Sequence, residues 1–233
     1  MEKQEKLHLI RSLYVTLFFV AVYSAIFLIQ SYFDINFTKW GIYPRKLEGL
    51  IGIITGPLIH ADFKHYFNNT IPILILGTAL FYFYKEIALK VFLWSYLMVG
   101  IWVWSAAREA YHIGASGVLY ALFAFLLLSG FIRKNTHLIA LSFFVAFIYG
   151  SMIWGIFPID LSVSFEGHFF GFFAGLILAI YFRKQGPQKK KYEWEDEEDD
   201  DTNEYPYWKT QDGNASNIEI NYTIVKGKEN KNQ

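Results

Sequence analysis

Six apolar stretches, each about as long as a lipid hydrocarbon core is thick, dictate what this chain can fold into. They lie at about 13–33, 66–84, 87–107, 113–132, 138–157 and 164–182. A helix needs roughly 20 mostly apolar residues to cross that core. Unpaired backbone groups are so costly in lipid that each crossing is expected to be helical. The chain therefore reads as an all-α polytopic membrane protein. Its residues are 54% hydrophobic and only 18% charged, below the ~25% charged fraction of soluble domains. The first stretch, from Leu13 to about Phe33, exceeds a signal-peptide core and lacks a small-residue cleavage site. A retained span is expected there. The chain has no cysteine, which excludes disulfides, thiol catalysis and thiolate metal sites.

The connections at 84–87 and 132–138 are very short, so the spans they join must run antiparallel. The link between the first two spans carries its own aromatic and charged residues, and a folded loop is expected. With the N-terminus inside, the inner segments hold Lys3, Lys6, Arg11, Lys85, Lys90, Arg133, Lys134, Arg183, Lys184 and Lys189 to Lys191. The outer loops hold only Lys39, Arg45, Lys46, Lys64 and Arg108. The bias predicts both termini on the cytoplasmic side. Spans two, four and six then all begin at the outer face. That brings Ser116, His168, His65 and Asn69 to one depth, the outer third of the bilayer.

Past Arg183 the composition changes, which predicts a membrane domain over 1–185 and a cytoplasmic tail over 186–233. Lys189, Lys190 and Lys191 fit an anchor at an anionic inner leaflet. Nine acidic residues fall between Glu193 and Glu204, and a solvated, disordered tail is expected. The polar, β-branched run Ile218 to Val225 leaves pairing with a partner open. Matches to Asn-x-Ser/Thr at Asn68, Asn214 and Asn221 fall in a span or on the inner side and carry no functional reading.

Polar groups inside a membrane are expensive and ask for a reason. Gly167, Gly171 and Gly175 recur every fourth residue, a face that lets another helix approach closely. His168 points along that face. Gly114 and Gly117 make a similar patch around Ser116, so span four is the expected neighbour. Tyr120, one turn below Ser116, is placed to stack on the imidazole. A serine needs a base within hydrogen-bond reach to become a nucleophile, and a histidine is the usual base near neutral pH. No carboxylate is obviously placed to orient His168, and Glu166 is expected as a helix cap. His65 and Asn69, four apart, can both donate to a developing oxyanion, as can the Ser116 amide at a helix N-terminus. His60 and Asp62 are expected to support the loop above. Spacing alone is equally compatible with a glycine-zipper interface carrying an incidental serine and histidine, and with His65 and Asn69 as interfacial residues bound to water.

Gly114-Ala115-Ser116-Gly117 with Tyr120 resembles the GxSG motif of rhomboid intramembrane serine proteases. Gly167-His168-Phe169-Phe170-Gly171, followed by Gly175, resembles that family's histidine span, although Ala often stands where Gly167 does. His60, then His65 with Asn69, matches its pattern on the second span. The resemblance covers about residues 10–185 with the motifs in the family's order. It implies a six-transmembrane-helix rhomboid-like bundle around a water-filled cavity open to the outer face. Ser116 would be the nucleophile and His168 the base, with His65, Asn69 and the Ser116 amide holding the oxyanion. Loop 157–166 would roof the cavity, and span five, with Gly150 and Gly155, would gate it. The implied partners are single-span membrane proteins within the lipid bilayer; no nucleic acid, cofactor or metal is implied. Many members carry a Trp-Arg pair in the loop after span one, where this chain reads Gly49-Leu50-Ile51-Gly52-Ile53-Ile54-Thr55-Gly56-Pro57.

The expected activity is a Ser-His intramembrane endopeptidase. The alternative is a catalytically inactive relative that binds transmembrane helices, against which the retained residues argue. A transporter would call for paired halves with charged or broken helices at mid-membrane, and no internal repeat is present. The lack of extra spans and of a transit peptide points to a bacterial inner membrane.

Overall fold

A computed structural model describes residues 3–160 and 162–189. The acidic run, Lys190 and Lys191, the 218–225 run, Asn214, Asn221 and Leu161 of the roof loop lie outside the described residues. Seven α-helices follow one another among the described residues: α1 (Lys3–Phe33), α2 (Gly52–Thr55), α3 (Phe63–Phe83), α4 (Ala88–Ala106), α5 (Ser116–Arg133), α6 (Thr136–Tyr149) and α7 (Phe165–Tyr181). Among the described residues there is no strand, only one isolated antiparallel bridge between Ile42 and His112. Five helical segments among the described residues are long and apolar enough to cross a membrane, the fifth being α6 with its 3-10 continuation to Ile156. The sixth expected span is α7, whose 17 residues reach ~26 Å at 1.5 Å per residue.

The ends differ from the apolar stretches for local reasons. Helix α1 begins ten residues before its apolar run, since nothing in 3–12 breaks a helix and His8 Nε2 bonds the Tyr82 carbonyl at 3.0 Å. Helix α3 starts at Phe63 because Asp62 caps it, accepting from the His65 backbone N–H at 2.8 Å. Helix α5 starts only at Ser116, because Gly114 turns the chain at φ +99°. Asn135 caps α6, and beyond Tyr149 the chain tightens into a 3-10 helix over Gly150–Ile156 instead of continuing as α-helix.

Helix α5 is the centre: 72% of its apolar window is buried, against 17 to 33% for the other spans. Leu76, Leu80, Val91, Leu122, Phe125, Leu126 and Leu178 join α3, α4, α5 and α7 in one core. The closest approach is α5 on α7. A Cβ on Gly171 would strike the Gly117 carbonyl oxygen, and one on Gly175 the Ala121 carbonyl oxygen. The outward-facing rings of α1, α4 and α6, such as Phe18, Trp94 and Phe147, are exposed. Lipid is their solvent.

The link between α1 and α3 is folded, as expected of it. Ile42 and His112 exchange two backbone hydrogen bonds at 2.9 and 2.8 Å, and the Trp104 indole N–H donates to the Lys46 carbonyl at 2.9 Å. At the opposite end of α5, the buried Arg133 donates to the carbonyls of Phe182, Arg183 and Gln185, each at 2.8 Å. Its guanidinium lies 5.5 Å over the Tyr84 ring. A cation thus closes the C-terminus of α7, where orphan carbonyls and the helix dipole favour it.

Candidate active site

The turn before Ser116 has its shape for two reasons. Gly114 adopts φ +99°, and its N–H donates to the Gly56 carbonyl at 2.9 Å. A Cβ there would also strike the His65 ring. Only glycine satisfies both, and the consequence is that Ser116 opens α5 with its side chain toward α7. The first N–H groups of a helix have no intrahelical acceptor, so the Ser116 amide is at hand beside its own hydroxyl.

His168 Nε2 lies 2.8 Å from Ser116 Oγ, and Nδ1 lies 2.9 Å from the Gly155 carbonyl oxygen. A carbonyl only accepts, so Nδ1 carries the proton. Nε2 then presents its lone pair to the serine hydroxyl, which donates. The Tyr120 ring stacks on the imidazole with centroids 4.2 Å apart and planes 8° apart. Sequence reading placed Ser116, His168 and Tyr120 together. Gly155 was expected only as part of the gating span; that its carbonyl meets His168 had no sequence signal, because it lies on a different element from both.

His65 and Asn69 face the same cavity from α3. A cavity of about 690 Å³ is lined by His65, Asn69, Ser116, Tyr120 and His168, with residues of the 107–115 and 160–164 loops around them. Asn69 is buried, and its Nδ2 donates to the His65 carbonyl at 2.9 Å. Nδ2 carries two protons, so one remains for the cavity. The Ala61 N–H points at His65 Nδ1 from 3.5 Å, an arrangement that leaves the Nε2–H form facing Gly114. His60 is fully buried outside this cavity, its ring 4.9 Å from Tyr23 and 5.1 Å from His65. Burial pushes His60 down to about 3, the nearby His65 adds to the fall, and the Leu58 backbone opposes it.

The N-terminus of α7 differs from the sequence expectation. Ser164, not Glu166, is the cap, its Oγ accepting from the Gly167 N–H at 3.3 Å. Glu166 instead meets the Arg108 guanidinium at 3.5 Å. The reason is position: the Glu166 side chain is turned from the first-turn amides toward the loop after α4. His112, which sequence reading passed over although it stands four residues before Ser116, completes the tie. Its Nε2–H donates to the Arg108 carbonyl at 3.1 Å, and its Nδ1 accepts from the Ser164 hydroxyl at 2.6 Å. Burial holds the His112 imidazole below its ordinary range, with the Arg108 carbonyl and Glu166 opposing. The neutral ring locks the loop that delivers Ser116 to the helix that carries His168. In the loop before α7, Asp160 accepts from both the Ser162 N–H and its hydroxyl, at 2.8 and 2.6 Å, and these bonds hold its carboxyl below the usual range.

Apolar helices around a cavity that holds a hydrogen-bonded serine and histidine define an integral membrane protein. A family model described as Rhomboid domain matches residues 47–185. The chain belongs to the rhomboid family. It is 35% identical over 172 residues to uncharacterized proteins of Mycobacterium tuberculosis and Mycobacterium bovis, an alignment covering 67% of this chain and 67% of each relative. An uncharacterized protein of Mycobacterium leprae is 32% identical over 164 residues, covering 64% of this chain and 62% of that protein.

Proposed function

We propose that this protein is an intramembrane serine endopeptidase that cleaves single-span membrane proteins within or near their transmembrane helix. The observation that carries the reading is the 2.8 Å contact between Ser116 Oγ and His168 Nε2, with Nδ1 committed as a donor to the Gly155 carbonyl. That is the tautomer a general base needs.

In the reaction, Ser116 Oγ attacks the scissile carbonyl carbon as its proton passes to His168 Nε2. The carbonyl π electrons move to the oxygen, which the Asn69 amide, the His65 Nε2–H and the Ser116 backbone N–H are placed to receive. Collapse breaks the C–N bond, and the imidazolium gives its proton to the leaving amine. Water admitted through the cavity repeats the sequence on the acyl-enzyme, with His168 again taking the proton, and releases Ser116. The polar lining from Asp62, Lys64, Arg108 and Ser162 gives that water a path which the lipid-facing surface does not. The distribution of lysine and arginine supports termini on the cytoplasmic side and a cavity opening to the outer face of a bacterial inner membrane.

The test is cleavage of a single-span reporter in liposomes by wild type, Ser116→Ala and His168→Ala, alongside fluorophosphonate labelling of Ser116. Cleavage and labelling by wild type alone are expected. Undiminished cleavage by Ser116→Ala removes it as nucleophile. No wild-type cleavage across varied substrates, with no labelling, overturns the protease reading.

A further inference from the structure

The contact that sets the tautomer of His168 comes from outside every motif. Gly155 stands thirteen residues before His168, in the 3-10 segment Gly150–Ile156 that continues α6. Its carbonyl oxygen receives Nδ1–H on the side of the ring opposite the one that meets Ser116. Neutral imidazole carries one proton, and the alternative Nε2–H form has no lone pair with which to accept the serine proton. Whatever fixes Nδ1–H fixes the competence of the base.

Gly155 is also the one residue type that fits this seat. A Cβ there would strike the Tyr120 hydroxyl. Tyr120 is not free to yield, because its ring is stacked on His168 at 4.2 Å and is buried in α5. A side chain at 155 would therefore lift the 150–156 segment and take the carbonyl with it. The segment itself is lightly held: none of its residues is buried, and it rests on α7 and the end of α6.

We propose that Gly155 is a positioning residue for His168. Its carbonyl fixes the Nδ1–H tautomer, and does so only while segment 150–156 is seated on Tyr120. Seating of the segment and readiness of the base are then one event. The consequence for catalysis rests on the protease reading; the contact itself does not.

The experiment uses the full chain in proteoliposomes as wild type, Gly155→Ala, Tyr120→Phe and the double variant. Three quantities are read: the ring nitrogen shifts of ¹⁵N-labelled His168, assigned by their loss in His168→Gln; the rate of fluorophosphonate labelling of Ser116; and the thermal midpoint. Wild type is expected to show Nδ1–H alone. Gly155→Ala should show mixed tautomers and label about tenfold or more slowly at a retained midpoint. In the Tyr120→Phe background the same change should cost about threefold or less, because the obstructing hydroxyl is gone. An Nε2–H signal in wild type overturns the proposal even if no variant folds, and so does Gly155→Ala with tautomer and rate unchanged. Equal losses in both backgrounds also overturn it. A wild type that resists labelling yet loses Nδ1–H in Gly155→Ala supports the positioning contact and sinks the protease reading instead.

Discussion

The imidazole of His168 and the phenol of Tyr120 lie face to face, centroids 4.2 Å apart and planes within 8°. The stack holds the His168 ring parallel to a side chain of the helix that carries Ser116. Two rotations that would carry Nε2 away from Ser116 are closed off by it: tilt by the stacked ring, and spin by the Gly155 carbonyl.

Tyr120→Ala removes the stack while leaving both hydrogen-bonding residues. The expected loss is about 10- to 100-fold in kcat, the size of a misplaced catalytic group, with KM little changed. Tyr120→Phe, which keeps the ring, should retain far more activity than Tyr120→Ala. Steady-state cleavage of a reporter distinguishes the two, and equal losses would remove the stack from the mechanism.

Asn69→Ala withdraws one donor from the developing oxyanion and should lower kcat about 10²-fold or more. Substrate affinity should stay the same, since the ground-state carbonyl does not need that donor. A raised KM at unchanged kcat would reassign Asn69 to substrate binding.

Gly171→Ala sets a methyl against the Gly117 carbonyl at the tightest point of the α5–α7 contact. Overpacking of this kind costs about 1–3 kcal/mol. A lower thermal midpoint in detergent is expected, together with slower labelling of Ser116, because the same displacement separates the dyad. An unchanged midpoint would show that the helices have slack there.

Arg133→Met keeps the length of the side chain and removes donors to three carbonyls at the end of α7. Hydrogen bonds of a charged donor contribute about 1.5–3 kcal/mol, so a loss of at least about 2 kcal/mol in unfolding free energy is expected. The dyad lies at the far end of α5 and α7, so kcat of the folded variant should be nearly that of wild type. Activity and a denaturation curve in mixed micelles measure the two effects separately.

His60 supplies a pH signature. Its folded value near 3 lies below the ~6.5 of an unperturbed histidine, so below about pH 6.5 the unfolded state binds a proton that the folded state refuses. Stability from this residue is complete above about pH 6.5 and declines as pH falls toward 3, by up to ~1.4 kcal/mol per unit. The thermal midpoint should drop on acidification from about pH 6.5 to 4, and His60→Gln should flatten that slope. Identical slopes would place the acid sensitivity elsewhere; His112, also held neutral by burial, is the next residue to replace.

The apolar helices could be read from the sequence because lipid admits no unpaired backbone: a stretch of twenty apolar residues has one solution. The glycine spacing of 167, 171 and 175 was legible for the same reason, since a stripe without side chains is useful only against another helix. Through those two patterns Ser116, His168, His65 and Asn69 were expected together, with Tyr120 one turn below Ser116, and all five line one cavity. The cap at Ser164 was misassigned to Glu166, because both residues suit a helix start and only the neighbour differs. That neighbour, Arg108, lies on another loop.

What the sequence determined by itself was therefore what solvent and helical period set: the all-helical membrane class, the apolar helices and the family resemblance. Tertiary structure alone decided which atom orients His168. A backbone carbonyl has no sequence signature, since every residue carries one. Which carbonyl meets His168 depends on the 3-10 turn after Tyr149, the seat that Gly155 finds on Tyr120, and the depth to which the glycines let α7 sink into α5. Those are packing distances, and packing is a property of the assembled bundle rather than of any one of its helices.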